Sequence, residues 1–189
     1  MAVRPIIFSA PMVLALLEGR KTQTRRLATS PLRKCELGDL LYVRETFRHW
    51  TGSASGKTAV YSADGLWFDH GSGWKGKIEG RFLGRPTPSI HMPRWASRLT
   101  LQVEAVRVEP LQSISDEDAL AEGVTKVRDH CYVARGTAYD RSGLCHSAPS
   151  TAYACLWCEL HGDESWSANP DVLVLTFKVI DSNVDRLAA

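Results

Sequence analysis

The run Gly19-Arg20-Lys21-Thr22-Gln23-Thr24-Arg25-Arg26 places four cations and two hydroxyls in eight residues. The plain chemistry of such a run is anion binding, with Lys21 and Arg26 holding a phosphate, Thr24 donating a hydrogen bond and Glu122 forming a salt bridge with one of them. A second group is Ser89-Ile90-His91-Met92-Pro93-Arg94-Trp95, with Arg98 just beyond. Here an arginine and an exposed tryptophan would hold a phosphate and stack a base, or Trp95 is a core aromatic with Arg94 and Arg98 in solvent. A third is Cys155-Leu156-Trp157-Cys158, whose spacing suits zinc or redox chemistry but falls inside a helical apolar stripe, where small thiols serve as packing. No G-x-S-x-G, H-E-x-x-H, G-x-G-x-x-G or P-loop pattern occurs, which removes the commonest hydrolase, protease and nucleotide readings.

The elements that must position these groups follow from spacing. Val3 to Phe8 predicts a strand. Ser9 and Pro11 then open a helix over 10–19, with Met12, Val13, Leu16 and Leu17 on one face and Gly19 ending it. The basic run therefore leaves a helix C-terminus as loop or extended chain. If extended, Lys21, Gln23 and Arg25 share one face, and Thr22, Thr24 and Arg26 the other. Leu40 to Val43 reads as a buried strand leading to Arg44-Glu45-Thr46-Phe47. Leu99, Leu101 and Val103 alternate, and Val106 with Val108 resumes the alternation after a slip of one, as a bulged strand would.

Ser115-Asp116-Glu117-Asp118 starts a helix over 115–122, capped by Ser115 and ended by Gly123. Glu122 then sits at the C-terminal end, where the helix dipole disfavours an anion, so another interaction must place it there. Tyr153, Leu156, Trp157 and Leu160 mark a helix over 151–161, and Val172 to Ile180 a closing strand. Residues 48–88, which include Trp50, Trp67 and Trp74, lack periodicity and read as an insertion of short hairpins and loops, and residues 125–150 as a second loop insertion.

Composition sets the frame. A chain of 189 residues, 44% apolar and 23% charged, predicts one globular domain and excludes collagen, coiled coil and wholesale disorder. The net charge of +2 is too small to coat nucleic acid in bulk, but residues 1–50 carry +5, 51–110 carry +3 and 111–189 carry −6. That asymmetry points to a local anionic partner, or to two oppositely charged solvated faces. No apolar run reaches membrane-spanning length, and the stretch from Ile6 to Leu17 is broken by Ser9 and Pro11, so it is not read as a leader. Five cysteines, an odd number, do not suit a disulfide framework, and a reducing cytoplasm is the expected compartment.

The basic run resembles the signature of the ASCH family, a branch of the PUA-like β-barrel superfamily, G-x-K-x-x-E-x-R after the first helix. Gly19, Lys21 and Arg26 match it, and Thr24 replaces the usual Glu. Blocks 5–26, 37–47, 89–122 and 151–180 look like the longer ASCH-type proteins of bacteriophages and prophages. Thr at that position is also found in small bacterial members that hydrolyse N(4)-acetylcytidine with a Lys, a Thr and a Glu. The resemblance implies an α+β fold with a PUA-like β-barrel and flanking helices. It implies Lys21, Thr24 and Glu122 as catalytic residues, with Arg20, Arg26, Glu45, Arg94 and Trp95 binding substrate.

The expected activity is amide hydrolysis on an acylated cytidine or related modified nucleoside. Neither metal nor organic cofactor is implied. A threonine hydroxyl attacks only if a base takes its proton, and a lysine does so only when its pKa falls from about 10.4 toward neutrality. Arg20, Arg25 and Arg26 would press it downward, and Glu122 would protonate the leaving amine or activate water. Two other functions fit the same family: single-stranded RNA binding without turnover, and metal-independent ribonuclease action with Lys21 and Glu122 as acid and base.

Overall fold

The structure is a computed structural model and describes residues 1–50, 55–77 and 85–187. The chain is α+β. Strand β1 (Val3–Ile7) and helix α1 (Ala10–Leu17) lead to β2 (Gln23–Leu27) and β3 (Leu40–Arg44). Four short strands follow: β4 (Phe47–Trp50), β5 (Thr58–Tyr61), β6 (Leu66–Asp69) and β7 (Lys75–Lys77). The long β8 (Thr100–Pro110) precedes α2 (Asp116–Ala121), β9 (Thr125–Arg128), β10 (Cys131–Val133) and α3 (Ala138–Ser142). The chain ends with α4 (Pro149–His161), α5 (Asp163–Ser167), β11 (Asp171–Ile180) and α6 (Val184–Leu187).

Two compact units share these elements. The first is built from Ala15–Asp39 and Val103–Lys178. Its sheet pairs β2 antiparallel with β11, with Arg25 opposite Val174 and Thr24 opposite Leu175. Its core gathers Ala119 from α2, Tyr153 and Trp157 from α4, and Val172 and Val174 from β11, all below 5% exposed. Helix α2 begins as expected: the Ser115 hydroxyl accepts from the Asp118 N–H. Asp116 accepts from the Ser150 N–H and so caps α4, whose own N-cap, Ala148, has no side chain to do it.

The second unit comprises Ala2–Leu14, Leu40–Gln102 and the chain from Val179 onward. There β1 runs parallel to β3, and β3 pairs antiparallel with the start of β8. A four-stranded antiparallel meander, β4-β5-β6-β7, packs Phe47, Ala59 and Tyr61 against Met92 and Ala96.

Several expectations change. The short hairpins expected in the insertion over 48–88 join into one four-stranded sheet, whose extent the sequence hides because tight Gly/Ser turns and exposed tryptophans break the apolar alternation. The part of that insertion at 51–54 and 78–84 lies outside the described residues. The insertion over 125–150 contains the β9–β10 hairpin and α3, and Cys131 is joined to Cys145, whose Cα atoms lie 5.2 Å apart. The odd cysteine count therefore concealed one bond, because Tyr132 pairs with His146 and draws the two thiols together.

The alternation of β8 does not slip toward the valines: Val106 and Val108 are 37% and 60% exposed, while Arg107 and Glu109 are the half-buried residues. Polar partners described below recruit those two inward. On α4, Leu160 is exposed, and the buried stripe is narrower than its apolar spacing suggests. Cys155 and Cys158 lie within α4 as free thiols.

Candidate functional site

The first unit brings Lys21 and Glu122 into direct contact. Gly19 adopts φ +71° at the end of α1, and the Arg20 and Lys21 N–H groups both donate to Ala15 O. The Thr22 N–H then donates to Ala121 O at 2.9 Å, and Lys21 and Glu122 form an isolated antiparallel bridge. Gly123, at φ +100°, carries the chain away; a Cβ on it would stand 3.2 Å from the Ala15 Cβ and 3.5 Å from the Lys21 Cβ.

This geometry drives Lys21 Nζ onto Glu122, donating to Oε2 and to the backbone O, each at 2.7 Å. Lys21 is 2% and Glu122 3% exposed. The ammonium meets the terminal carbonyl of α2 as well as the carboxylate, which explains how an acidic residue is held where the helix dipole opposes it. Burial lowers the Lys21 pKa; Glu122 opposes that shift, and Arg26 and Arg25 reinforce it.

Behind this pair lies a denser charge network than the sequence reading assigned. Arg25 has no exposed side-chain surface, and its Nη2 donates to Glu109 Oε1 at 2.7 Å and Asp118 Oδ2 at 2.8 Å. Its Nη1 stands 3.6 Å from Glu122 Oε1, within ion-pair range but too long for a hydrogen bond. Arg107 completes the ring, bonding Glu109 Oε2 at 2.8 Å, Asp118 Oδ2 at 2.9 Å and Gln23 Oε1 at 3.2 Å. The Tyr153 ring lies 5.9 Å from the Arg25 guanidinium. Burial and the nearby Glu122 push the Tyr153 phenol well above its ordinary value.

Sequence alternation had placed Lys21, Gln23 and Arg25 on one face, and that is the face this network uses. Its acidic partners, Glu109 and Asp118, sat on elements whose inward side was misread or taken only as helix-start chemistry.

Four buried polar atoms here make no hydrogen bond: Thr24 Oγ1, Arg25 Nε and Nη1, and Glu122 Oε1. Each such atom costs about 1–3 kcal/mol when left dry; those of Arg25 and Glu122 face one another, whereas the Thr24 hydroxyl lies on the other face of β2.

The residues expected at the site divide as follows. Thr24 is 1% exposed and lies in β2 opposite Leu175, on the face of the strand turned away from Gln23 and Arg25. Its hydroxyl bonds neither Lys21 nor Glu122. Arg26 is half-buried, with Nη1 donating to Arg25 O at 3.2 Å. Burial lowers its pKa against the pull of Glu122 and Tyr153. Arg20 grips the segment after Glu122, its Nη1 donating to Gly123 O at 3.2 Å and Thr125 Oγ1 at 3.1 Å, while its other nitrogens pair with Glu18.

Glu45, Arg94 and Trp95 belong to the second unit. Glu45 is 2% exposed and takes a two-pronged grip from Arg98, at 2.8 and 3.0 Å. Arg98 also bonds Asp64 and stacks 4.0 Å from the Tyr61 ring centroid. Burial raises the Glu45 pKa, and its bonds to Arg98 oppose the rise. Arg94 pairs with Asp185, and Trp95 packs edge-on to His49 and His70, with ring centroids 5.3 and 5.6 Å away. All three are thus engaged within their own unit. Among the described residues, no three His, Cys, Asp or Glu side chains gather as a metal site.

No family model matches the chain, and no curated protein does. Two solved structures resemble it loosely. The hypothetical protein PH0355 is 12% identical with a TM-score of 0.43, over 95% of this chain and 100% of that one. Protein EF3133 from Enterococcus faecalis V583, described with the family model DUF984, is 12% identical with a TM-score of 0.44, over 100% of this chain and 82% of that one.

Proposed function

We propose that the chain is an ASCH-type hydrolase that cleaves the amide of an N(4)-acylated cytidine or related modified nucleoside. The observation that carries this reading is the buried Lys21–Glu122 contact of 2.7 Å; the Thr24 hydroxyl, three residues along, is buried and unbonded but lies on the opposite face of β2. The PUA-like barrel implied by the resemblance goes with this reading; the Cys131–Cys145 bond weighs against the reducing cytoplasm expected from the cysteine count.

In the reaction, Thr24 Oγ attacks the acyl carbon, and its proton passes to Lys21 Nζ directly or through one water. The C–N bond breaks, and the cytosine N4 leaves with a proton delivered from Glu122, producing the free exocyclic amine. Water then cleaves the acyl ester on Thr24, returning the hydroxyl and releasing the carboxylic acid. The Lys21–Glu122 pair suits this relay, because a proton moving from ammonium to carboxylate changes no net charge in a buried site. The downward pressure of burial, Arg25 and Arg26 on Lys21 favours the neutral amine that the attack requires.

The test is incubation with N(4)-acetylcytidine in the presence of a chelator. Equimolar cytidine and acetate support the reading. Cleavage of single-stranded RNA without deacylation, or RNA binding with no turnover of either substrate, would replace it.

A further inference from the structure

Amide hydrolysis makes no use of the disulfide in the first unit, yet the bond has a specific place there. Cys131 opens β10, and β10 with β9 forms a two-stranded sheet of its own. A two-stranded ribbon is marginal in water and needs an outside anchor. That anchor is the segment after α3. The Tyr132 N–H donates to His146 O at 2.8 Å and the His146 N–H to Tyr132 O at 2.9 Å, so the segment pairs with the edge of β10 that β9 leaves open. The Cys131–Cys145 bond ties it in place.

Little else holds it. From Arg135 to Leu144 only Thr137 is buried, and α3 is kept by polar contacts. Thr137 Oγ1 donates to Ala134 O at 2.8 Å, Arg135 pairs with Asp140, and Glu159 of α4 accepts from the Ala138 N–H. A segment with so few buried groups falls at the low-stability end of a fold once its cross-link is cut. Cys131 is 5% exposed, whereas Cys145 is half-buried and offers the approachable side of the bond.

The other strand of the hairpin reaches the Lys21–Glu122 pair. Val133 is paired with Thr125, and the Thr125 hydroxyl accepts from Arg20 Nη1, which also grips Gly123 O. Gly123 adjoins Glu122, and Arg20 adjoins Lys21. The hairpin therefore steadies the two backbone turns that carry the buried pair.

We propose that Cys131–Cys145 is a redox-sensitive latch on this site, closed as the disulfide and opened by a dithiol reductant. One thiolate of the reductant attacks Sγ of Cys145, the S–S bond breaks, and Cys131 leaves as a thiolate that takes up a proton. The second reductant thiolate displaces Cys145 from the mixed disulfide. The reductant gives up two electrons and ends as a disulfide, and the chain ends with two thiols. With the latch open, the segment around α3 leaves β10, the hairpin loosens, and the grip of Arg20 on Gly123 and Thr125 weakens. The accompanying fall in turnover rests on the hydrolase reading; the opening itself does not.

The test compares the full chain before and after dithiothreitol, without denaturant during reduction. Thiol counting finds three thiols before and five after. Reduction raises amide hydrogen exchange about tenfold across residues 122–134, and leaves the β2–β11 pairing of 23–27 with 172–176 unchanged. Deacylation of N(4)-acetylcytidine falls about tenfold as Glu122 loses its aim. Cys155→Ala with Cys158→Ala keeps the response, and Cys131→Ser with Cys145→Ser behaves as the reduced chain in either buffer. Five thiols before reduction, a bond that stays closed until the chain unfolds, unchanged exchange at 122–125, or equal loosening of β2–β11 overturns the proposal. Absence of deacylation in both redox states, with the exchange response intact, overturns the hydrolase reading and leaves the latch standing.

Discussion

Lys21 and Glu122 each make the other's burial tolerable, and that mutual dependence can be measured. Glu122→Gln leaves an ammonium in a site 2% exposed and should cost about 3–5 kcal/mol in urea unfolding, whereas Lys21→Met with Glu122→Leu should recover most of that loss. Activity is absent in both variants if the pair moves the proton. The pH dependence has a definite sign. Lys21 titrates below its ordinary 10.5 in the folded chain, chiefly through burial, so between its lowered value and 10.5 the unfolded chain holds the extra proton. The contribution of Lys21 to stability therefore rises with pH across that window, and deacylation should rise with pH to a midpoint below 10.5. Because Glu122 opposes the shift, Glu122→Gln should lower the Lys21 pKa further, which lysine-labelled NMR titration would read directly.

At the scale of elements, Glu122 is aimed by a six-residue helix and one glycine. Ser115→Ala removes the cap of α2 and should cost about 1 kcal/mol. Gly123→Ala meets both the positive φ and the Ala15 and Lys21 side chains; it should cost about 1–2 kcal/mol and lower turnover more than nucleoside affinity, since Glu122 is displaced. Both are checked by thermal unfolding alongside kcat and KM.

These elements were legible in the sequence because their signals are local: the Ser115 cap, the Gly19 and Gly123 stops, the apolar faces of α1 and α4, and the closing strand. The bond between Lys21 and Glu122 followed from a family resemblance, since no local rule joins residues a hundred positions apart. Arg25, Glu109 and Asp118 escaped because a charged side chain on a strand reads as solvent-facing until its partners are known. The hairpins of the meander were expected, but their union into one sheet escaped because tryptophans stand where alternation predicts polar residues.

For the molecule as a whole, the chain passes between its two units more than once, so neither is a contiguous stretch that could be excised. The second unit depends on the chain's last segment: Asn183 Nδ2 donates to the carbonyls of Arg94, Trp95 and Ser97 at 2.9, 3.2 and 2.7 Å. Asn183→Leu, which leaves those oxygens unsatisfied, should cost about 1–3 kcal/mol in chemical unfolding. The excess positive charge of residues 1–110 and the negative charge of 111–189 meet in the first unit, where Lys21 and Arg25 are paired with Asp118 and Glu122 from the acidic part, and Arg25 also with Glu109 from their own. Part of the asymmetry seen in sequence is thus spent internally. The central claim, that Thr24 is a nucleophile served by this buried pair, is tested most directly by mass spectrometry of the protein quenched during turnover of N(4)-acetylcytidine. The account predicts an acetyl group on the Thr24 peptide that disappears when substrate is exhausted and never forms in Thr24→Ala; deacetylation at the wild-type rate by Thr24→Ala would contradict it.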